Sequence, residues 1–253
     1  MSRLAVIILT KNEETNIVAA MESAAFADEV LIVDSGSTDR TQELAEKRGA
    51  KFVSHPMDES GFAGQRNFAL TQTDAEWVFY LDADERITQL GRDVIQDIVA
   101  QNSNNVYKVE RKNIVFGQLM NYGVHRPDYV ARLFPRTAVQ WQGRVHEGIK
   151  TELPVKKLTD ILQHYTYTNW YQYFAKFNRY TSLAAEELAQ RDKQISNIGI
   201  IAHTLGAFFK SYILKKGFLD GFLGFVMSFM SMAYTLTKYM KLQNIYRLKL
   251  DRS

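Results

Sequence analysis

The chain opens on a continuous apolar run, Leu4 to Leu9, of strand length and with no polar face, the pattern of a strand buried on both sides. Apolar residues at Ile17, Val18, Met21 and Ala25 have helical spacing and predict a helix over 14–26. A second buried strand is predicted at 30–33, closed by Asp34-Ser35-Gly36-Ser37; Thr38 and Asp39 then supply capping chemistry for a helix running to about Lys47. The run 51–54 predicts a short third strand, a glycine-containing loop leads into a helix around 63–72, and Trp77 to Leu81 predicts a fourth strand. Strands separated by helices imply a parallel sheet with right-handed crossovers.

The pattern changes after residue 104. Residues 105–150 are β-rich, basic and aromatic, and are broken by the turns His125-Arg126-Pro127 and Phe134-Pro135-Arg136. They predict mixed or antiparallel strands beside the parallel sheet. From Asn169 onward the pattern is helical. Its longest uncharged stretch, Gly221 to Thr237, is 17 residues and is diluted by Gly, Ser and Thr; a spanning helix wants about 20 mostly apolar residues, so no span is predicted. On a helix, Phe222, Phe225, Phe229, Met232 and Leu236 form one stripe, and Gly221, Gly224, Ser228, Ser231 and Thr235 form a small-residue stripe beside it. With Lys210, Lys215, Lys216, Lys238 and Lys241 nearby, this resembles closely packed helices lying in a bilayer surface. The competing expectation is an ordinary helical hairpin docked on the body.

Charge sharpens that division. Residues 199–253 hold eight Lys/Arg and two Asp/Glu, whereas the rest of the chain holds 23 basic and 26 acidic residues. A mildly acidic body with a basic, aromatic tail points to an anionic surface and away from nucleic acid, whose binding stripe usually lies on the folded domain. At 253 residues the chain accommodates one large domain, or one with an appendage. The absence of cysteine excludes a disulfide scaffold, a thiolate nucleophile and thiolate metal sites. The first apolar run is too short, and too soon followed by Lys11-Asn12-Glu13-Glu14, for a secretory core, so the chain is expected to stay in the cytoplasm.

In open α/β sheets ligands bind beyond the carboxyl ends of the strands. Three such ends are polar here: Thr10 to Glu13, Asp34-Ser35, and Asp82-Ala83-Asp84. No glycine-rich dinucleotide or Walker loop follows the first strand, so a bound diphosphate would need another source of positive charge. Two carboxylates at Asp82 and Asp84 can supply it by holding a hard divalent cation, although such a pair also arises by chance or as caps. Asp34 could accept from a ribose hydroxyl or a base N–H, or serve its own turn.

LAVIILTKNEE, VLIVDSGSTDRT, AGQRNFAL and WVFYLDADE, in this order and spacing, resemble glycosyltransferase family 2. RLFPR, GRVHE and KKGFLDGFLG extend the resemblance to its branch of lipopolysaccharide inner-core β-1,4-glucosyltransferases. The resemblance implies an α/β fold of the GT-A type: a mostly parallel sheet flanked by helices, here with a C-terminal helical membrane-associating extension. The implied domains are 1–165, with a nucleotide-sugar half to about 104 and an acceptor-side part over 105–165, and the extension 166–253. Thr10, Glu13 and Asp34 match nucleoside-pocket positions. Asp82 and Asp84 match the metal and diphosphate motif, Asp84 being the direct ligand of Mg²⁺ or Mn²⁺. Arg66 is expected either to help hold the nucleotide or to be a solvated helix residue.

An inverting transfer needs a general base on the acceptor side. The family's usual acidic pair is missing, which leaves Glu147, with His146 as the alternative. His164 is either a diphosphate-side group or a packed structural histidine. Arg126, Arg132, Arg136, Arg144, Lys108, Arg111 and Lys112 are expected to form a basic wall toward an acidic acceptor. The implied reaction moves a hexose, from UDP-glucose, to a lipid-linked inner-core heptose at the cytoplasmic face of the inner membrane. Alternatives are another acceptor (polyprenyl phosphate, a different polysaccharide or a peptide) and a non-catalytic nucleotide-sugar-binding membrane protein. Oligomeric state is not legible.

Overall fold

Strand β1 (Leu4–Thr10) shows why an uninterrupted apolar run is needed at the centre of the sheet. Ala5 and Ile7 enter one core, while Leu4, Val6 and Ile8 enter the other, and all five are buried. The computed structural model describes residues 3–143 and 148–250, the side chains of 249 and 250 excepted. The chain divides into two compact units, Met1–Lys112 with Asp128–His164, and Asn113–Pro127 with Tyr165–Ser253.

The first unit continues with α1 (Ile17–Ala24), β2 (Glu29–Asp34), α2 (Thr41–Glu46), β3 (Lys51–Ser54), α3 (Gly61–Leu70), β4 (Trp77–Asp82), β5 (Glu85–Ile87) and α4 (Gln89–Ala100). Parallel pairing joins β3 to β2, β2 to β1 and β1 to β4. Like β1, β4 is buried on both faces: Trp77, Phe79 and Leu81 pack with α1 and α4, and Val78 and Tyr80 pack with α3. Helices therefore cover both sides, as a parallel sheet of unbroken apolar strands requires. Helix α1 starts three residues later than its apolar spacing predicts, and α2 starts two residues past Asp39, the later of its two expected capping residues. The segment before α1 is a turn in which the Glu13 carbonyl accepts from the N–H groups of Asn16 and Ile17. The Asp39 carboxylate accepts from Thr41 N at 3.0 Å, so it closes the turn just ahead of α2.

Beyond β4 the pairing turns antiparallel. The chain supplies β6 (Val106–Val115), β7 (Gln118–Met120), β8 (Asp128–Pro135), the hairpin β9 (Gln140–Gln142) and β10 (Gly148–Lys150), and the long β11 (Val155–Tyr167). The sheet order is β3-β2-β1-β4-β8-β6-β11-β5. It is parallel over its first four strands and antiparallel where β8 meets β4 and β6, and where β11 meets β5. The expected mixed strands beside a parallel sheet are thus present.

In the second unit, β7 pairs antiparallel with the Asn113–Val115 end of β6. Three helices follow: α5 (Trp170–Gln190), α6 (Asn197–Phe209) and α7 (Gly221–Leu250). Asn169 and Ser196 cap α5 and α6 through their side-chain oxygens. The α6–α7 connection explains the glycines of KKGFLDGFLG. A Cβ on Gly224 would lie 1.9 Å from the Gly217 carbonyl oxygen, so only glycine permits this approach. Beside it, Ser211 and Ser228 share a buried hydrogen bond of 2.8 Å. The Asp220 carboxylate accepts from Asn121 N and Tyr122 N at 3.1 and 2.9 Å, fastening the turn to the segment after β7.

The small-residue stripe of α7 thus packs inward at Gly224 and Ser228, whereas Phe222, Phe225, Phe229 and Leu236 are exposed. Ile198, Ile201, Leu205 and Phe209 are likewise exposed on α6. The helical segment Gly217–Leu248 is long and apolar enough to cross a membrane by length and composition, with only 22% of its most apolar window buried. The aromatic run 165–173 is largely packing: Tyr167, Trp170 and Tyr173 cluster around Phe116, while Tyr171 is exposed.

Candidate active site

Parallel register brings the three polar strand ends together. Thr10 at the end of β1 is the partner of Asp34 on β2, and the preceding Leu9 is the partner of Asp82 on β4. These tips belong to one row, at the carboxyl edge where an α/β sheet receives ligands. Thr10 Oγ1, buried in that row, has no hydrogen-bond partner among the described residues. An orphaned hydroxyl at a strand tip is the kind of group a ligand completes.

The two loops beyond β1 and β2 are laced to each other. Asn12 N donates to Ser37 Oγ, and Thr38 N donates to Asn12 Oδ1. Glu13 N donates to Thr41 Oγ1 at 2.8 Å, and Asn16 Nδ2 donates to Glu13 Oε2 at 2.7 Å. Asp34 is buried and accepts from Gly36 N, Ser37 N and Ser37 Oγ. Its carboxylate holds its own turn, which leaves it room to accept from a ligand only through a remaining lone pair.

Asp82 is engaged from two sides. Arg132 Nη2 on β8 donates to it at 2.5 Å, and Arg66 Nη2 on α3 lies 3.4 Å away. Burial alone would push the Asp82 carboxyl up, but these two guanidiniums hold it well below the usual carboxylate range. Arg132 also donates to Glu85, whose side chain is fully buried, at 2.7 Å, and Arg111 lies 3.5 Å from the same carboxylate. Burial drives the Glu85 pKa up against those cations. For Arg132, burial opposes the charge, yet the two carboxylates raise its pKa further. Arg66 stacks on Trp141, 4.6 Å from the ring centroid, and its burial lowers its pKa.

Asp84 lies on the turn between β4 and β5. There β11 runs antiparallel to β5 with His164 opposite Glu85, so His164 Nε2 stands 3.3 Å from Asp84 Oδ2. Both side chains keep partial exposure, 15% and 21%. Among the described residues no three carboxylate or imidazole groups gather as a self-sufficient metal cage. A divalent ion held here would take two protein ligands and complete its shell from a diphosphate and water, as Mg²⁺ and Mn²⁺ do at phosphate sites.

The Glycosyl transferase family 2 model matches residues 5–212. The chain belongs to that family. An uncharacterized glycosyltransferase of Rickettsia bellii is 30% identical over 98% of this chain and 88% of its own. The lipopolysaccharide core biosynthesis glycosyltransferase LpsC of Rhizobium meliloti is 29% identical over 91% and 90%. Among solved structures, S. aureus TarS residues 1–349 in complex with UDP matches 98% of this chain and 92% of its own, at 16% identity and a TM-score of 0.48. For a member of this family, the mixed sheet, parallel over β1 to β4 and flanked by helices, is that of a GT-A fold.

Thr10, Asp34 and Asp82 thus share one strand-end row, with Arg66 reaching Asp82 and Asp84 meeting His164. Arg66 is buried, which corrects its reading as a solvated helix residue. The basic wall is also corrected. Arg132 and Arg111 are paired with Asp82, Glu85 and Asp128, Lys112 with Asp160, and Arg136 donates to the Ala75 carbonyl. Glu147, His146 and Arg144 lie outside the described residues. Sequence reasoning missed Glu85 altogether and misplaced Arg132. An arginine inside the apolar run Val130 to Phe134 was the available sign, because a charge in a buried strand needs a buried partner.

Proposed function

We propose that this family 2 enzyme is an inverting hexosyltransferase that moves glucose from UDP-glucose onto an inner-core heptose of lipopolysaccharide. The observation that carries this is the Thr10–Asp34–Asp82 row of strand tips beside the Asp84–His164 pair. The LpsC relative supports the acceptor class. Thr10, Glu13 and Asp34 receive the nucleoside, and Arg66 adds positive charge near the diphosphate.

Asp84 and His164 would hold the divalent ion, which when bound supplies Lewis-acid stabilisation of the departing diphosphate. An imidazole in the set favours Mn²⁺ over Mg²⁺, because Mg²⁺ demands oxygen ligands more strictly. Asp82 is tied to two arginines and acts by fixing the strand end rather than as a ligand. On the acceptor side Glu147 removes the proton from the attacking hydroxyl, with His146 as the alternative base. The exposed apolar faces of α6 and α7, with the basic tail, support a peripheral position on the anionic cytoplasmic surface of the inner membrane.

The deciding experiment is a screen of nucleotide sugars against truncated lipopolysaccharide cores, with linkage analysis of the product. A β-linked glucose on heptose is the expected result. Transfer only to another acceptor class, or none with any core, would remove the assignment.

A further inference from the structure

The α6–α7 pair carries a feature the transfer chemistry does not use. A shallow groove of about 550 Å³ lies between the two helices. It is lined by the small residues Gly206 and Ala207 of α6, by Tyr239 of α7, and by His203, Lys210 and Lys238. Among the described residues no acidic one lines it. Among the described residues neither lysine is paired with a carboxylate. Lys238 Nζ lies 4.7 Å from the Tyr239 ring centroid, and burial pushes its pKa down. A half-buried ammonium without a counter-charge gains from any anion that enters.

We propose that this groove seats the phosphate headgroup of an anionic membrane lipid. The inference rests on the membrane-surface reading above and names where that surface is gripped. A soluble phosphate would satisfy the cations equally well. It would gain nothing from the exposed Ile198, Ile201, Leu205 and Phe209 of α6 or the Leu236 and Met240 of α7. Headgroup and hydrocarbon are offered together only by a lipid.

The test is flotation of the full chain with vesicles of phosphatidylcholine alone and of phosphatidylcholine mixed with phosphatidylglycerol, read as the ratio of the two partition coefficients. The wild type should prefer the anionic vesicles. Lys210→Gln with Lys238→Gln should lower that preference roughly thirtyfold, since each lysine near an anionic surface contributes ~1 kcal/mol. A Cβ added at Gly206 meets nothing within 4 Å, so Gly206→Gln fills the groove without strain. It should lower the preference at unchanged charge. Lys193→Gln with Arg247→Gln, a pair outside the groove, should have a clearly smaller effect.

An equal loss in that control pair, or an intact preference in Gly206→Gln, overturns the groove while leaving membrane association standing. Thermal stabilisation by inorganic phosphate that disappears in the Lys210/Lys238 variant overturns the lipid assignment. Failure of the wild type to float with either vesicle sinks the membrane reading itself.

Discussion

Replacing Arg132 by methionine tests the ionic cluster behind the strand tips most directly. The Arg132 side chain is 3% exposed and donates to Asp82 at 2.5 Å and to Glu85 at 2.7 Å. Methionine fills similar volume but leaves the fully buried Glu85 with Arg111 at 3.5 Å and the Asp82 backbone N–H at 3.0 Å. Breaking a buried pair by removing one partner costs about 3–5 kcal/mol, most of it the uncompensated charge left behind. With a urea slope of about 1–3 kcal/mol per molar, the midpoint should fall by about 1–5 M. Fluorescence of the buried Trp77 reports on this unit.

Adding Glu85→Gln to Arg132→Met should restore part of the loss, with a coupling of roughly 1–3 kcal/mol in the double-mutant cycle. Acid titration gives a second readout. The folded-state pKa of Asp82 is depressed, so its contribution is present above the unfolded aspartate value of about 3.9 and is lost as pH falls below it. That acid-dependent loss should shrink in Arg132→Met. A midpoint unchanged from wild type, or strictly additive double-mutant energies, would refute the cluster's role.

Asp84→Ala and His164→Ala should each weaken Mn²⁺-dependent turnover at least tenfold while leaving the melting temperature near wild type; unchanged turnover in both removes the ligand assignment. Glu147→Gln should bind the donor normally yet transfer about 10²–10⁴-fold more slowly, and a near-normal rate moves the base to His146 or elsewhere. Phe222→Asp with Phe229→Asp replaces two exposed rings, so it should abolish vesicle flotation without changing the circular dichroism spectrum. Gly224→Ala forces a Cβ against the Gly217 carbonyl and should lower stability by about 1–3 kcal/mol, read by thermal denaturation.

The parallel half was legible because its determinants are local. Unbroken apolar runs, spaced helical residues and the polar groups at strand ends are all read within a few neighbouring positions, and β1 to β4 lie where those runs are. The laced loops around Asn12 and Ser37 were not visible, since nothing local says which loop side chains meet. His164 reaches Asp84 across 80 residues through β11, so the pairing depends on a long-range strand register. Arg132 and Arg111 looked like surface charge for the same reason: a basic residue in sequence shows its charge but not its carboxylate partner. Glu85 was hidden in the acidic run after β4, although its alternation with the buried Ile87 is the mark of an inward-facing position.

Insertion of β11 between β6 and β5 has a consequence for synthesis on the ribosome. The short β5 emerges early but waits for a neighbour encoded at Val155–Tyr167. At 5–20 residues per second that delay is roughly 4–16 s, during which the nascent parallel half holds an unpaired strand edge and His164, the partner of Asp84, is not yet made. A fragment ending before β11 would therefore be a poor stand-in for the parallel half, however complete its motifs look.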